Sequence, residues 1–294
     1  MTLSQTLGNY WRLTKPRIWG LLVFTGVVAM FVAYKETPGA TLSTSLPILA
    51  AVSLVLGSAS ADVLTNYHDR DIDGVMKRTM RRAIPSGAVK PGNALVFGLL
   101  MASLSVLVPL LFINVVSAAF MLVGLLDNVV VYSLLLKRRS WSNIILGGIS
   151  GGMPVLVGYS AVAGTVSPVA LYMSAMVIVW IPTHIWSLAI FNKADYEAAR
   201  IPMLPVVFGD RVASICVAVT SALLTVFSVA ILLFTPVGIV YTITALALGA
   251  VVLAYSAKLA LDQQRKTAWT LFKFTSPYLT LLFLVLGITI WLEI

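Results

Sequence analysis

Nine long apolar runs divide this 294-residue chain, over residues 17–34, 46–66, 93–113, 115–135, 143–163, 167–191, 212–234, 237–257 and 269–292. A membrane-crossing helix needs about 20 apolar residues in succession, and in hydrocarbon each backbone N–H and C=O must be bonded within the protein. The runs therefore predict an all-α integral membrane protein, a bundle of nine transmembrane helices. With 59% of residues apolar and 11% charged, and a mean hydropathy of +0.96, a soluble globule, a disordered chain and a disulfide scaffold are excluded. The connections are too short for a separate soluble domain, so one transmembrane domain over 1–294 is expected. No small-residue cleavage site follows the first run, which reads as an uncleaved anchor.

The charges set the orientation. Nineteen of the 20 Lys and Arg fall in the N-terminal segment or in connections that follow even-numbered runs, and Lys35 alone falls on the other side. The positive-inside rule then places the N-terminus and those connections in the cytoplasm. An odd number of spans leaves the C-terminus opposite. The net charge of +9 thus reports membrane topology and argues against a nucleic-acid partner. Cys216 is the only cysteine, so a metal must use oxygen ligands or the two histidines.

Acidic residues concentrate in two of the cytoplasmic connections. After the second run comes Asp62, Thr65, Asn66, His68, Asp69, Arg70, Asp71 and Asp73. Spacings of three and four put Asp62, Asn66, Asp69 and Asp73 on one face if the helix runs past the membrane edge, with Asp71 pointing elsewhere. Carboxylates stacked in this way repel, and a hard divalent cation such as Mg2+ relieves the repulsion. After the sixth run comes Asn192-Lys193-Ala194-Asp195-Tyr196-Glu197, and both segments continue to a basic residue and Ile-Pro (Ile84-Pro85, Ile201-Pro202). This weak parallel repeat predicts two acidic clusters facing each other across one cavity. With Arg78 and Lys137-Arg138-Arg139 nearby, such a site suits Mg2+ and diphosphate together, the cations stabilising charge on a departing diphosphate.

Within the spans, Asp62 lies one turn from the edge and is expected to support the site from behind. Asp127 either lines the cavity or bonds to a neighbouring helix. His184, in Trp180-Ile181-Pro182-Thr183-His184-Ile185-Trp186, either bonds to a neighbouring helix or touches a bound cofactor, haem iron included. His68 reads as a loop hydrogen-bonder. Gly147-Gly148 and Gly151-Gly152 predict close helix approach in the fifth span.

Leu13-Thr14-Lys15-Pro16-Arg17, Asn66-Tyr67-His68-Asp69-Arg70-Asp71-Ile72-Asp73, Tyr132 to Ser140, Trp180 to Trp186 and Asp195 to Val207 resemble the intramembrane aromatic (UbiA-type) prenyltransferases, and within them the branch that acts on haem. The resemblance implies nine helices around a central cavity and Mg2+-dependent ionisation of an isoprenyl diphosphate, with two ions. It implies transfer of a farnesyl group to a vinyl of haem b, with water completing a hydroxyalkyl product. The family's NxxxDxxxD falls on Thr65, Asp69 and Asp73, so that Thr65 is a weaker ligand or Asn66 serves. Its DxxxD falls on Asp195 and Ala199, leaving Asp195 to carry the second cluster. Its Arg-Pro falls on Arg82-Ala83.

On this reading Asp69, Asp73 and Asp195 are catalytic and, with Asn66, hold the metal. Arg78, Lys137 and Arg138 bind diphosphate, His184 contacts the haem, and Asp62 and Thr65 support the site. The alternatives are prenyl transfer to a quinone-precursor phenol or a glycerol lipid, or a transporter or divalent-cation channel. The acids gather at one face and the repeat is parallel, both unlike the midplane sites and inverted repeats of many transporters.

Overall fold

The computed structural model describes residues 2–39, 45–235 and 237–292; the Arg17 side chain lies outside the described residues. All regular structure among them is helical, and nine helices are long and apolar enough to cross a membrane. The spans are α2 (Pro16–Glu36), α3 (Ser45–His68), α5 (Pro91–Phe112), α6 (Val115–Leu126) with a π-helical continuation to Leu136, α8 (Ile149–Ala163) led in by α7 (Asn143–Leu146), α9 (Pro168–Phe191), α11 (Leu204–Ala230), α12 (Ile239–Asp262) and α13 (Arg265–Leu292). Three short helices lie outside them: α1 (Leu3–Leu13), α4 (Arg70–Val75) and α10 (Lys193–Ala198).

Local chemistry sets the helix starts. Proline opens α2, α5 and α9, where its missing N–H costs nothing. Asn114 accepts from the Ser117 amide at 2.8 Å and Ser167 from the Ala170 amide at 3.2 Å, capping α6 and α9. The outer faces carry apolar side chains such as Leu99, Leu107, Leu111, Val219, Val226 and Ile243, all exposed, as lipid-facing surfaces require.

Four boundaries differ from the sequence expectation. The fifth span breaks at Gly147–Gly148. The seventh begins at Leu204, not 212, because the helix bends at Gly209 (φ 80°, ψ 168°), a conformation open to glycine alone. The ninth begins at Arg265. The fourth loosens into π-helix from Asp127 onward.

α2, α3, α5, α6 and α8 pack around one another, and α9, α11, α12 and α13 form a second group that joins them through α8·α9 and α2·α13. α8 is the central helix, buried from Gly151 to Ala161. Its small residues make that position possible. A Cβ on Gly158 would lie 2.0 Å from the Gly26 carbonyl oxygen of α2, and one on Gly151 would lie 2.3 Å from Ile181 Cδ1 of α9. The close approach expected of the glycine-rich fifth span is thus realised against both halves of the bundle.

Candidate active site

A cavity of about 550 Å³ lies between the two helix groups. Its charged end is lined by Lys15, Asp62, Asp73, Arg78, Arg82 and Lys137. Lys15, Arg82 and Lys137 are each matched by a carboxylate, Asp62, Asp73 and Asp69. This leaves Arg78 as the lining cation without an ion pair among the described residues and makes this end net positive, a setting that favours an anion. Farther in, Leu54, Met121, Pro154 and Val157 make an apolar floor, and Trp180, His184 and Phe272 make an aromatic wall. The cavity therefore joins an anion site to space for an apolar chain and a flat ring.

The acidic segment keeps its turn-by-turn spacing through a break. α3 stops at His68, yet the Asp69 amide donates to the Thr65 carbonyl and the Asp73 amide to the Asp69 carbonyl, each at 2.8 Å. Asp69 and Asp73 consequently stay one above the other, both buried. Each is met by a cation: Lys137 Nζ bonds to Asp69 Oδ2, and Arg82 Nη1 donates to Asp73 Oδ1 at 2.9 Å and Oδ2 at 2.7 Å. Asp62 pairs with Lys15 at 2.9 Å. Buried carboxylates need such partners. Burial pulls the Lys15 ammonium below its ordinary value, with Asp62 opposing.

Two backbone distortions aim these cations. Lys15 adopts a left-handed conformation (φ 50°, ψ 62°) between α1 and α2, a costly geometry for a side chain of this size. The π-helical stretch, in which the Lys137 amide donates five residues back to the Tyr132 carbonyl at 2.8 Å, brings Lys137 over the Tyr132 ring at 5.4 Å and onto Asp69. π-Helical turns recur at functional sites for this reason.

Of the other expected residues, Thr65, Arg78 and His184 line the cavity, whereas Asn66, Asp195 and Arg138, like Asp69, stand outside its lining. Asn66 is enclosed, its amide donating to the Leu13 carbonyl at 3.0 Å and its Oδ1 accepting from Arg82 at 3.2 Å. Thr65 borders the cavity and bonds to Ser133 at 3.0 Å and Asn128 at 3.3 Å. Asp195 Oδ2 accepts from the Arg78 amide at 3.1 Å, which brings the two acidic connections into direct contact. Arg138 is turned away from the cavity: it grips Asp71 at 2.7 and 2.6 Å and the His68 carbonyl at 2.8 Å. The Arg138 guanidinium holds the Asp71 carboxyl at about 2. His68 enters that network through its carbonyl, while its Nε2 is buried without a hydrogen-bond partner. Asp127 accepts from the Ser150 amide at 2.7 Å, so of its two expected roles the interhelical bond is the observed one. It holds the first turn of α8 against the π-helical stretch.

Lys15, Arg82, Tyr132 and Asn128 border the cavity and were not among the expected site residues. Lys15 and Tyr132 stood inside the recognisable segments and Arg82 on the position of the family's Arg-Pro, but nothing local in the sequence distinguishes the two cations from topology signals.

The UbiA prenyltransferase family model matches residues 22–288. The chain belongs to the UbiA prenyltransferase family. It is an intramembrane prenyltransferase by that membership, and relatives narrow the branch. It is 42% identical over 277 residues to protoheme IX farnesyltransferase of Thermoplasma volcanium, covering 94% of this chain and 95% of that one. It is 45% identical over 291 residues to the protoheme IX farnesyltransferase of Desulforudis audaxviator, covering 98% and 90%. Among solved structures, digeranylgeranylglyceryl phosphate synthase superposes with a TM-score of 0.78 at 16% identity over 97% of this chain and 99% of that one. A UbiA homolog from Archaeoglobus fulgidus bound to DMAPP and Mg2+ does so with 0.71 at 18% identity over 97% and 100%. At these identities the structures speak for the fold, which they share along nearly the whole chain.

Proposed function

We propose that this prenyltransferase moves a farnesyl group from farnesyl diphosphate to a vinyl group of haem b, and that the charged mouth and the N-terminus face the cytoplasm. The observation that carries this reading is the joining, in one cavity, of a four-cation mouth to an apolar floor and an aromatic wall containing His184. The names of the relatives at 40–45% identity support haem as the acceptor.

In the proposed reaction the allylic C1–O bond breaks, and its electron pair leaves with diphosphate. The vinyl π pair attacks C1; water adds to the resulting cation beside the porphyrin and loses a proton. Lys137, Arg78, Arg82 and Lys15 bear the charge that develops on the leaving oxygens, and being held in place beforehand they need little reorganisation. The apolar floor orients the isoprenoid and keeps stray water from the allylic cation. His184 meets the haem.

Asp69, Asp73, Asp195 and Asn66 are the residues that would hold Mg2+. Among the described residues no three acidic, histidine or cysteine side chains converge to form a cage by themselves. Mg2+ is usually bound by one or two carboxylates with substrate phosphates completing its shell, so Asp69, Asp73 and Asp195 would not hold one ion together. The fit is supported by Asp69, whose Oδ1 is buried without a hydrogen-bond partner. When bound, Mg2+ neutralises diphosphate oxygens and stabilises the leaving group.

The test is mass spectrometry of haem after incubation of the purified protein with haem b, farnesyl diphosphate and Mg2+, beside a chelator control. The expected product is heavier by one farnesyl group plus one hydroxyl and disappears with chelator. Unchanged haem together with a prenylated phenol or glycerol lipid would reassign the acceptor.

A further inference from the structure

The ring of His184 is held on three sides. Trp180 stacks on one face with centroids 4.4 Å apart and an interplanar angle of 18°, and Phe272 stacks on the other at 4.4 Å and 28°. The third hold is Thr275 of α13, whose Oγ1 lies 2.7 Å from His184 Nδ1. A threonine hydroxyl has one proton to give, and that of Thr275 goes to the Phe272 carbonyl at 2.7 Å. Toward His184 the oxygen can only accept. Nδ1 therefore carries the ring proton, and Nε2 is left with its lone pair.

The backbone of the same residue fixes the neighbouring ring, since Trp180 Nε1 donates to the Thr275 carbonyl at 2.7 Å. Trp180 and His184, one turn apart on α9, are thus keyed to a single residue of α13. With both faces stacked and Nδ1 bonded, the Nε2 edge is the part of the ring left to meet the cavity that His184 lines. His184 is the only imidazole among the described lining residues.

A neutral imidazole whose far nitrogen donates to a fixed acceptor, with the near nitrogen open to a pocket, is the form in which histidine binds metals. We infer that His184 Nε2 is an axial ligand to the iron of the porphyrin acceptor, and that Thr275 is the positioning residue that sets its tautomer. The inference rests on the haem reading above and states how that substrate is gripped. Ligation pins the macrocycle to the wall between α9 and α13, so that the rest of the cavity belongs to the isoprenoid.

The experiment titrates the full-length protein in nanodiscs with ferric haem b and, in parallel, with metal-free protoporphyrin IX, without prenyl donor. The wild type is expected to give the absorption and electron paramagnetic resonance signature of histidine-ligated haem. It should also prefer haem to the metal-free ring by about 10-fold or more. His184→Ala should lose both the signature and the preference, and added imidazole should restore the signature. Thr275→Val should weaken haem binding by about 10–100-fold while Thr275→Ser retains it.

A histidine-ligated spectrum that survives in His184→Ala overturns the inference. So does equal affinity of the wild type for the two porphyrins, a result that needs no variant to fold. If the wild type prenylates haem but shows no histidine ligation, the acceptor reading stands and the ligation is discarded. If the wild type neither binds nor prenylates haem, both are discarded.

Discussion

Arg82 lies across both carboxylate oxygens of Asp73, at 2.9 and 2.7 Å. Nine residues apart in the chain, the two close the loop after α4 back onto the acidic segment, and Arg82 also reaches Asn66 at 3.2 Å. Removing one partner of a buried pair leaves the other charge uncompensated, at a cost of about 3–5 kcal/mol. Because the Arg82 side chain keeps 27% of its exposure while Asp73 keeps 4%, Arg82→Ala is expected at the lower end of that range, read as a fall in melting temperature. Turnover should fall with it. Arg82→Lys, which restores the charge without the planar fork, should recover more stability than activity.

Asp69 is the more direct test of the metal assignment. Asp69→Asn preserves size but removes the charge that Lys137 neutralises and the oxygen pair expected to hold Mg2+. Turnover should fall by about a hundredfold to a thousandfold, the range for losing one electrostatic element of an active site. Because Lys137 is left as an uncompensated, largely buried charge, the melting temperature should fall as well, so turnover is compared at a temperature where both proteins are folded. Near-normal activity in this variant, measured by product mass spectrometry, would remove Asp69 from the metal site. Chelator should abolish wild-type turnover and added Mg2+ restore it.

The expectations from sequence that match the structure are those carried by local spacing. The nine spans follow from the length of the apolar runs, and the stacking of Asp69 over Asp73 follows from a four-residue interval that survives the break after His68. The pairings were hidden because they join distant segments: Lys15 is 47 residues from Asp62, and Lys137 is 68 from Asp69. The π-helical stretch was equally hidden, since its first residue, Asp127, is tied by a bond to Ser150 on another helix. α1 escaped notice because its 11 residues are too few for a span. Its exposed Leu3, Leu7 and Trp11 follow the i, i+4 interval of a helix lying at a membrane surface.

The glycines of the bundle should separate sharply. Gly158→Ala would set a Cβ 2.0 Å from the backbone oxygen of Gly26, and backbone cannot rotate away as a side chain can. Overpacking costs about 1–3 kcal/mol and more where the neighbour is rigid, so a large fall in melting temperature is expected. Gly20→Ala, also in a helix, meets nothing within 4 Å and should instead stabilise by about 0.5–1 kcal/mol. Equal melting temperatures for the two variants would contradict the α2–α8 contact.

The Asp71–Arg138 pair should reveal itself only in acid. Arg138 holds the folded-state acid at about 2, below its unfolded value of about 3.9. For a depressed acid, the stabilisation is present above the unfolded value and is lost as pH falls through the folded one. The Asp71 side chain keeps 61% of its exposure, so the effect is screened and small. The difference in melting temperature between wild type and Asp71→Asn should be constant from about pH 5 to 8, shrink below about pH 4 and disappear only toward about pH 1, below both values. A difference that instead grows on acidification would mean that another group titrates there.

Orientation can be read with single cysteines, since Cys216 is the only native one. On a Cys216→Ser background, Lys77→Cys would report the charged mouth and Thr165→Cys the opposite end, both exposed positions. Lys77 lies in the connection between α4 and α5 and Thr165 in that between α8 and α9. The concentration of Lys and Arg on the first side predicts that it faces the cytoplasm. In intact cells, a membrane-impermeant maleimide should label Thr165→Cys and spare Lys77→Cys, and in inverted vesicles the pattern should reverse. Labelling of Lys77→Cys from outside intact cells would turn the protein over.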